Sequence, residues 1–316
     1  MCQLSFASLT PKKKSQLRSE KFLKEMETVV PWKKISDLIK PHYYDNKTGR
    51  PAYNLQLMIR IYCLQQWYNL GDLSMEEAIY DRLSFQTFLQ IDLMNKMIPD
   101  ETTILKFRHL LEKKNLPEKI FQLLNSYLES RGLMMKEGTI VDATIINSPS
   151  STKNQDKKRD PEMSSTKKNN TYYFGMKAHI GVDRESGLVH SCEVTTAKVA
   201  DKRMLVNLLH GHEKAVFGDK GYVSQEDKHY ARDAGIFWGI LDRRGPKKDL
   251  SSKQKKRNKR LSKVRSKVEH PFRVIKHLWG HRKTRYRGLA KNLHQFYMLF
   301  GLSNVYMSRN RILQEC

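Results

Sequence analysis

The sequence predicts an α/β protein in which a mixed sheet with flanking helices follows an all-α N-terminal region. Segments with helical periodicity fill the chain up to about residue 135, whereas short β-branched runs begin at Gly138. After Gly138 the predicted order is three strands and then strands connected by helices, which is typical of a mixed sheet covered by helices. We therefore place one domain at residues 1–135 and a second at residues 136–316.

The charge balance indicates a polyanionic partner. The chain of 316 residues carries 58 lysines and arginines against 33 acidic residues, a net charge of +25. Repulsion among so many positive side chains destabilises the compact fold, so such a net charge is expected where the partner is a nucleic acid. No apolar run is long enough to span a bilayer, so no membrane partner is expected.

The N-terminus and the cysteines indicate a reducing compartment. The first residues, MCQLSFASLTPKKKSQLRSEKF, lack the apolar core of a secretion signal. The four cysteines, Cys2, Cys63, Cys192 and Cys316, are scattered without a CxxC pair. This pattern favours reduced thiols and argues against a zinc cluster, so we expect a cytoplasmic protein.

Two strong helices frame the N-terminal region. Residues 55–68, LQLMIRIYCLQQWY, place apolar side chains at i, i+4, i+7 and i+11, which predicts a helix. A second helix is predicted from Pro117 to about Arg131. Between them the pattern predicts further helices.

Those intervening helices resemble a helix-turn-helix. Ser74 predicts a capping box and a helix to about Leu89, and Asp100 predicts the N-cap of the next helix. The second helix would present Lys106 and Arg108 to a DNA groove. A helical domain that only packs explains the pattern equally well.

Residues 138–147, GTIVDATIIN, predict a buried strand because most of them are β-branched. Asp142 in the middle of this run conflicts with burial. A buried carboxylate without a partner costs several kcal/mol, so Asp142 is expected to be paired or to bind a cation.

The rest of the predicted sheet follows a polar segment. Residues 148–170 are almost free of apolar side chains and predict a mobile loop; its lysines could touch DNA, although a solvated loop is the simpler explanation. The elements predicted after it are strands 171–182 and 187–196, helix 200–210, strand 215–218, helix 225–233 and strand 236–241.

Asp219 follows a short apolar strand in the segment KAVFGDKGY. Gly218 and Gly221 would let the backbone turn sharply around it. Because Asp and Gly favour turns, a plain turn residue is the alternative. Asp201 and Asp183 are predicted to be a helix N-cap and a turn residue.

Glu269 opens a helical pattern, VEHPFRVIKHLW, within the most basic segment of the chain, residues 247–287. We interpret this segment as a phosphate-facing surface, with a solvated linker as the alternative. Pro271 predicts a kinked helix through Glu269; a helix that begins at Pro271 would leave Glu269 in a loop. An ion pair with Arg265 at i−4 is the simple structural role for Glu269.

Three acids on separate elements of a basic protein suggest phosphodiester chemistry. That chemistry needs an activated oxygen nucleophile and neutralised charge at phosphorus, and two divalent ions about 3.5–4 Å apart supply both. Hard Mg²⁺ prefers carboxylate oxygens, which Asp142, Asp219 and Glu269 would provide.

The ordered set of motifs resembles the DDE transposases, and more closely the bacterial insertion-sequence-five type. The similar segments are PDETTILKFRHLLE, GTIVDATIINSPSSTKN, DPEM, FGMKAHIGVD, GDKGY and VEHPFRVIK. Each motif alone is weak, but together they span about residues 20–305 in the family's order.

The resemblance implies a ribonuclease-H-like core with Asp142, Asp219 and Glu269 as ligands of two Mg²⁺ ions, which Mn²⁺ can replace. It implies supporting, phosphate-binding roles for Arg265 and Lys276. The related signature has a tyrosine seven residues before the glutamate, where this chain has Ser262. This difference puts the role of that tyrosine in doubt.

The implied activity is transposition of DNA in a bacterial cytoplasm, close to the nucleoid. Metal-activated water would cleave each transposon end at its terminal inverted repeat, and the 3′-hydroxyl would then join to target DNA, with a homodimer on the DNA. The basic residues expected to contact DNA are Lys106, Arg108, Lys255, Lys256, Arg257, Arg260, Arg282 and Arg285. His210 and His212 are expected to lie on the surface.

Two alternatives stay open from the sequence. A ribonuclease-H-like nuclease would cleave without joining strands, and a domesticated DNA-binding protein would bind without cleaving. An RNA-binding protein is disfavoured because its aromatic and glycine-rich reading signature is missing.

Overall fold

The computed structural model of the chain describes residues 16–43, 51–92, 98–155, 157–168, 170–245 and 249–315. In these residues, helices precede a six-stranded sheet and three more helices follow it. The helices before the sheet are α1 (Arg18–Val29), α2 (Trp32–Ile39), α3 (Leu55–Tyr68), α4 (Asp72–Asp81), α5 (Leu83–Leu89), α6 (Glu101–Lys113) and α7 (Leu116–Glu129). Helix α8 (Gln225–Asp233) lies between the last two strands, and α9 (Ser252–Arg265), α10 (Glu269–Arg273) and α11 (Leu289–Glu315) follow them.

The sheet is mixed and is built around its first strand. Its strands are β1 (Gly138–Asn147), β2 (Ser164–Lys168), β3 (Thr171–Asp183), β4 (Val189–Thr196), β5 (Ala215–Gly218) and β6 (Phe237–Ile240). They run in the order β2, β3, β1, β5, β6, and β4 also pairs with β3. Pairs among β1 to β4 are antiparallel, whereas β5 pairs in parallel with both β1 and β6. The mixed sheet with flanking helices, after an all-helical N-terminal region, confirms the predicted α/β architecture.

One hydrophobic core joins the two parts of the chain. It contains Leu64 of α3, Leu124 of α7, Ile140 of β1 and Phe300 of α11, all less than 1% exposed. Helix α11 packs against α7, α1 and β4, so the last helix of the chain covers elements from both sides of residue 135. The domain boundary near residue 135 therefore stays a prediction.

A second, smaller core lies on the other face of the sheet. Val141 of β1 belongs to it, together with Leu208, Val216, Tyr222 and Ile240. Adjacent residues of β1 thus face different layers, as the period of two along a strand requires.

The structure corrects the helices predicted around Ser74. Helix α4 begins at Asp72 rather than after Ser74, and its N-cap residue Gly71 makes no side-chain cap. The helix also ends at Asp81, and α5 is a separate helix after Arg82. Residues 90–100 then precede α6, so the predicted pair of helices joined by a short turn is wrong; residues 93–97 lie outside the described residues.

The structure also corrects the predicted mobile loop 148–170. Ser164–Lys168 form β2, which pairs with Thr171–Gly175 of β3. A run without apolar side chains can form this strand because backbone hydrogen bonds, rather than burial, hold it to the sheet. Residues 156 and 169 lie outside the described residues.

One smaller prediction changes as well. The helix expected at residues 200–210 is a pair of 3₁₀ turns, Asp201–Met204 and Val206–Leu208. The basic segment 247–287 is mostly helical, which argues against the alternative of a solvated linker, and its role as a phosphate-facing surface stays a prediction; residues 247–248 lie outside the described residues. None of the described helices combines the length and the apolar character that crossing a membrane requires.

Candidate active site

Asp142 and Asp219 are brought together by the pairing of β1 with β5. These strands are parallel, and their last paired residues are Val141 and Gly218. Asp142 and Asp219 are the next residues on the two strands, so they lie side by side where β1 and β5 stop pairing. A Cβ at position 218 would lie 2.8 Å from Cδ1 of Ile240, so a side chain before Asp219 would displace Ile240.

Arg265 links Asp142 to Glu269. Its Nη1 lies 2.9 Å from Oδ2 of Asp142, and its Nη2 lies 3.4 Å from Oε1 of Glu269. The Asp142 side chain is 21% exposed and that of Glu269 is 65% exposed, so one guanidinium connects a half-buried acid to an open one. The i−4 ion pair, which the sequence offered as the structural alternative for Glu269, is therefore present.

Burial raises the pKa of Asp142 above its ordinary value. The Arg265 guanidinium and the Ala143 amide, which donates to Oδ1 at 2.8 Å, oppose this shift. The carboxylates of Asp219 and Asp201 reinforce it. A site that accumulates this much negative charge in a poorly solvated position favours a bound cation.

The backbone around Glu269 is helical throughout. A 3₁₀ turn, Ser266–Val268, joins α9 to α10, and a π-helical turn, Val274–Leu278, follows α10. This interrupted helix matches the predicted kink and excludes the alternative in which Glu269 lies in a loop. An apolar face next to Glu269 is buried and consists of Val268, Phe272, Ile275 and Trp279.

Lys276 is turned toward β1. Its Nζ donates to Oγ1 of Thr144 at 2.6 Å and to the Ile145 carbonyl at 2.8 Å. Burial, helped by Lys168 and Arg282, lowers the pKa of Lys276 to about 8. In this structure the ammonium of Lys276 fixes the helix to β1, the strand that carries Asp142. Its contact with phosphate stays a prediction. An open groove beside it is lined by Thr144, Glu269, Arg273 and Lys276, among others.

The three predicted ligands have the oxygen donors that a hard divalent ion prefers. All are carboxylates, and two of them, Asp142 and Glu269, already share one cationic group, Arg265. Among the described residues, no three His, Cys, Asp or Glu side chains lie close enough to hold an ion as they stand. Asp142, Asp219 and Glu269 would hold the metal, with Arg265 as the group that has to give way.

The structure corrects Arg108 as a reader of DNA. Its side chain is 6% exposed, and its guanidinium pairs with Asp72 at 3.1 Å and with Glu112 at 3.0 Å. Its guanidinium carbon also lies 4.3 Å from the centre of the Tyr286 ring. Arg108 therefore holds α6 to α4 and is not available to a groove.

Arg257 is also engaged within the protein. It pairs with Asp242 at 3.0 Å and donates to the carbonyls of Trp238 and Ile240. Arg282 and Arg285 are exposed, but Arg282 donates to the Lys276 carbonyl and Arg285 to Asn69. The remaining predicted contacts, Lys106, Lys255, Lys256 and Arg260, are exposed.

Sequence reasoning missed two residues near the site. Asp201 was expected to be an N-cap, but it is the first residue of its 3₁₀ turn, and the N-cap is Ala200. Its Oδ1 lies 2.8 Å from Nζ of Lys177, and its charge acts on Asp142. Tyr222 ends the turn after Asp219 and is 1% exposed. The place of Tyr222 directly after Gly221 in GDKGY was the only signal for it, and no local signal marks Asp201.

The two histidines behave differently from each other. His212 is exposed as expected. The His210 side chain is only 15% exposed, and its ring packs 5.1 Å from that of His190 and beside Glu213, which corrects its assignment to the surface. Sequence alone could not place His190 opposite it.

Comparison with known proteins identifies the family. Residues 134–305 match the family described as Transposase DDE domain, and residues 11–110 match Transposase domain (DUF772). The first match covers more than half of the chain, so this protein belongs to the DDE transposase family. The class of enzyme is thereby a transposase of the DDE type.

Two solved structures show weaker similarity. One is described as "Crystal structure of the Mos1 Strand Transfer Complex", with 15% identity, coverage of 85% of this chain and 79% of that chain, and a TM-score of 0.29. The other is described as "Mos1 transposase paired-end complex with left transposon end", with 12% identity, coverage of 78% and 83%, and a TM-score of 0.21. At these scores the similarity does not extend to the positions of individual residues.

Proposed function

We propose that this transposase cleaves DNA at transposon ends and joins the ends to target DNA at a site formed by Asp142, Asp219 and Glu269. The observation that carries the proposal is the adjacency of Asp142 and Asp219 where β1 and β5 stop pairing, with Glu269 tied to Asp142 through Arg265. Family membership supports the reaction class.

The reaction is two in-line displacements at phosphorus. In the first, water attacks the phosphodiester at the transposon end, the P–O3′ bond breaks, and a 3′-hydroxyl is released. In the second, that 3′-hydroxyl attacks a phosphodiester of the target, whose own 3′-oxygen leaves. Two Mg²⁺ ions, or Mn²⁺ in their place, would supply nucleophile activation and neutralise charge at phosphorus.

The residues of the chain have distinct tasks in this proposal. Asp142 and Asp219 provide rigid oxygen ligands because both follow paired strand residues. Glu269, being exposed at a helix start, closes the site from the helical side. Arg265 balances the acids before metal and DNA arrive. Lys276 keeps the helix in register with β1 through Thr144.

The charge distribution supports double-stranded DNA as the substrate. Helix α9 carries seven lysines and arginines before Arg265 and no acid; they are Lys253, Lys255, Lys256, Arg257, Lys259, Arg260 and Lys263. All of these except Arg257 are exposed. Such a surface neutralises phosphates without reading bases. We expect a homodimer that holds two ends together, in the bacterial cytoplasm close to the nucleoid.

Strand cleavage tests this proposal. A labelled duplex carrying the element's own end is incubated with Mg²⁺ and the wild type, Asp142→Asn, or the control Asp233→Asn, whose carboxylate is exposed on α8. We expect cleavage by the wild type and the control, none by Asp142→Asn, and equal end binding by all three. Added target DNA should then be joined.

The other outcomes are informative. Cleavage without joining would identify a nuclease, and end binding without cleavage by the wild type would identify a catalytically silent binder. Cleavage that survives in Asp142→Asn would refute the assignment of the site.

A further inference from the structure

Tyr222 packs directly beneath the residues that carry the two strand aspartates. It ends the 3₁₀ turn Lys220–Tyr222, whose N-cap is Asp219, and its amide donates to the Asp219 carbonyl at 3.0 Å. A Cβ at position 218 would lie 3.3 Å from Cδ2 of Tyr222 and 3.0 Å from Cγ2 of Val141. The ring thus packs beside Gly218, which precedes Asp219, and it shares a buried cluster with Val141, which precedes Asp142.

The hydroxyl of Tyr222 is buried and has no hydrogen-bond partner among the described residues. A buried hydroxyl in this state is unfavourable, because its hydrogen bonds to water are lost and none replaces them. Such groups in native proteins call for a specific explanation, and a partner that arrives with a ligand is one.

The surroundings of the hydroxyl are acidic. Burial raises the pKa of Tyr222 far above its ordinary value, and the carboxylates of Asp142, Asp201 and Asp219, in that order, raise it further. A phenol hydroxyl in these surroundings can donate a hydrogen bond to a carboxylate. Asp142 is the carboxylate that acts on it most strongly.

The neighbouring carboxylates are engaged elsewhere in this structure. Oδ1 of Asp201 pairs with Nζ of Lys177 at 2.8 Å, and that ammonium also donates to the Val199 carbonyl. Asp142 receives Arg265 at Oδ2 and the Ala143 amide at Oδ1. Withdrawal of Arg265 would leave a lone pair of Asp142 without a donor.

We propose that Tyr222 is a positioning residue, whose hydroxyl donates a hydrogen bond to the Asp142 carboxylate when the site holds its divalent ion. This inference rests on the proposed function. Donors to metal-binding groups fix the orientation of those groups, and their loss typically weakens metal binding about 10- to 100-fold. Tyr222 would act through Asp142 and would not touch DNA.

Tyr222→Phe tests the inference because it removes only the hydroxyl. The full-length wild type, Tyr222→Phe and the control Tyr230→Phe, which alters a tyrosine 72% exposed on α8, are compared. The melting temperature is measured without metal. The Mn²⁺ affinity is then measured by titration calorimetry at a temperature at which all three proteins are folded. We expect Tyr222→Phe to melt at the wild-type temperature or above and to bind Mn²⁺ about tenfold more weakly.

Each alternative result overturns a defined part of the argument. Unchanged Mn²⁺ affinity in Tyr222→Phe would overturn the role of the tyrosine. A lower melting temperature would also overturn it, because the hydroxyl would then be bonded before metal binds. Asp142→Asn serves as the reference. If this variant binds Mn²⁺ like the wild type, the proposed metal site itself is refuted. If Asp142→Asn loses Mn²⁺ binding and Tyr222→Phe keeps it, only the role of Tyr222 is refuted.

Discussion

Arg265 and Asp142 form an ion pair across 123 positions of the chain, with Nη1 of the guanidinium 2.9 Å from Oδ2 of the carboxylate. Both side chains are about one-fifth exposed, so the charge pair is poorly solvated. The same guanidinium reaches Glu269, and it therefore serves as an internal cation for two of the three proposed metal ligands. Binding of a divalent ion to these acids should compete with Arg265.

Replacing Arg265 with alanine tests that competition. Arg265→Ala leaves Asp142 without its counter-charge, and we expect a loss of about 1–2 kcal/mol in unfolding free energy without metal. We expect Mn²⁺ to restore more stability to this variant than to the wild type, while strand joining is lost. Thermal melts with and without Mn²⁺ measure this, with Arg232→Ala, an exposed arginine of α8, as the control. Equal Mn²⁺-induced shifts in wild type and variant would contradict the competition.

Lys276 should make stability depend on pH in the alkaline range. Burial lowers its pKa from the ordinary value of 10.5 to about 8, so between these values the unfolded chain binds more protons than the folded protein. The unfolding free energy of the wild type should therefore rise relative to Lys276→Met as pH increases from about 8 to 10.5. Urea unfolding at several pH values measures this, and Lys255→Met, an exposed lysine, should show no such trend. A difference that stays constant over this range would argue against the buried ammonium.

Asp160 and Glu162 should stabilise the start of α11. Oδ2 of Asp160 accepts from the Gly288 amide at 2.7 Å, and Oε2 of Glu162 accepts from the Leu289 amide at 2.6 Å. Carboxylates at a helix N-terminus satisfy free amides and oppose the helix dipole, so replacing either with alanine should cost about 1 kcal/mol.

Hydrogen exchange at Gly288 and Leu289 checks this prediction directly. We expect faster exchange of both amides in Asp160→Ala and Glu162→Ala, and no change in Lys158→Ala, an exposed neighbour. Wild-type exchange rates in the two acidic variants would show that these contacts do not hold the helix start.

The exposed lysines and arginines of α9 should control the salt dependence of DNA binding. In the triple variant Lys255→Ala, Lys256→Ala and Arg260→Ala, the slope of log affinity against log salt should fall by about 0.9 for each lost phosphate contact. Fluorescence anisotropy at several salt concentrations measures the slope.

Arg108→Met is the contrasting variant. Because this arginine is buried between Asp72 and Glu112, we expect lower stability and an unchanged salt slope. A reduced slope in Arg108→Met, or an unchanged one in the triple variant, would contradict the assignment of the DNA surface.

The sequence was most informative where a charged residue stands in an otherwise apolar segment. Asp142 in a β-branched run marked a place where a carboxylate must have a partner, and the structure gives it Arg265. Hydrophobic periodicity predicted α3 with its observed bounds, Leu55–Tyr68. The mixed sheet followed from the order of helical and β-branched segments.

The sequence was least informative where contacts between distant residues decide the result. Arg108 looked exposed because its helix is amphipathic, but Asp72 on another helix neutralises it and allows burial. Strand β2 lacks apolar residues and depends on β3 for its backbone partners. Asp201 is held near the site by an ion pair with Lys177 on β3.

The metal site is tested most directly by soaking crystals of the protein in Mn²⁺ and recording anomalous scattering at the manganese edge. We predict manganese peaks between the carboxylates of Asp142, Asp219 and Glu269, with the Arg265 guanidinium moved away from Asp142. Manganese bound only elsewhere, with the Arg265–Asp142 pair intact, would contradict the proposed catalytic site.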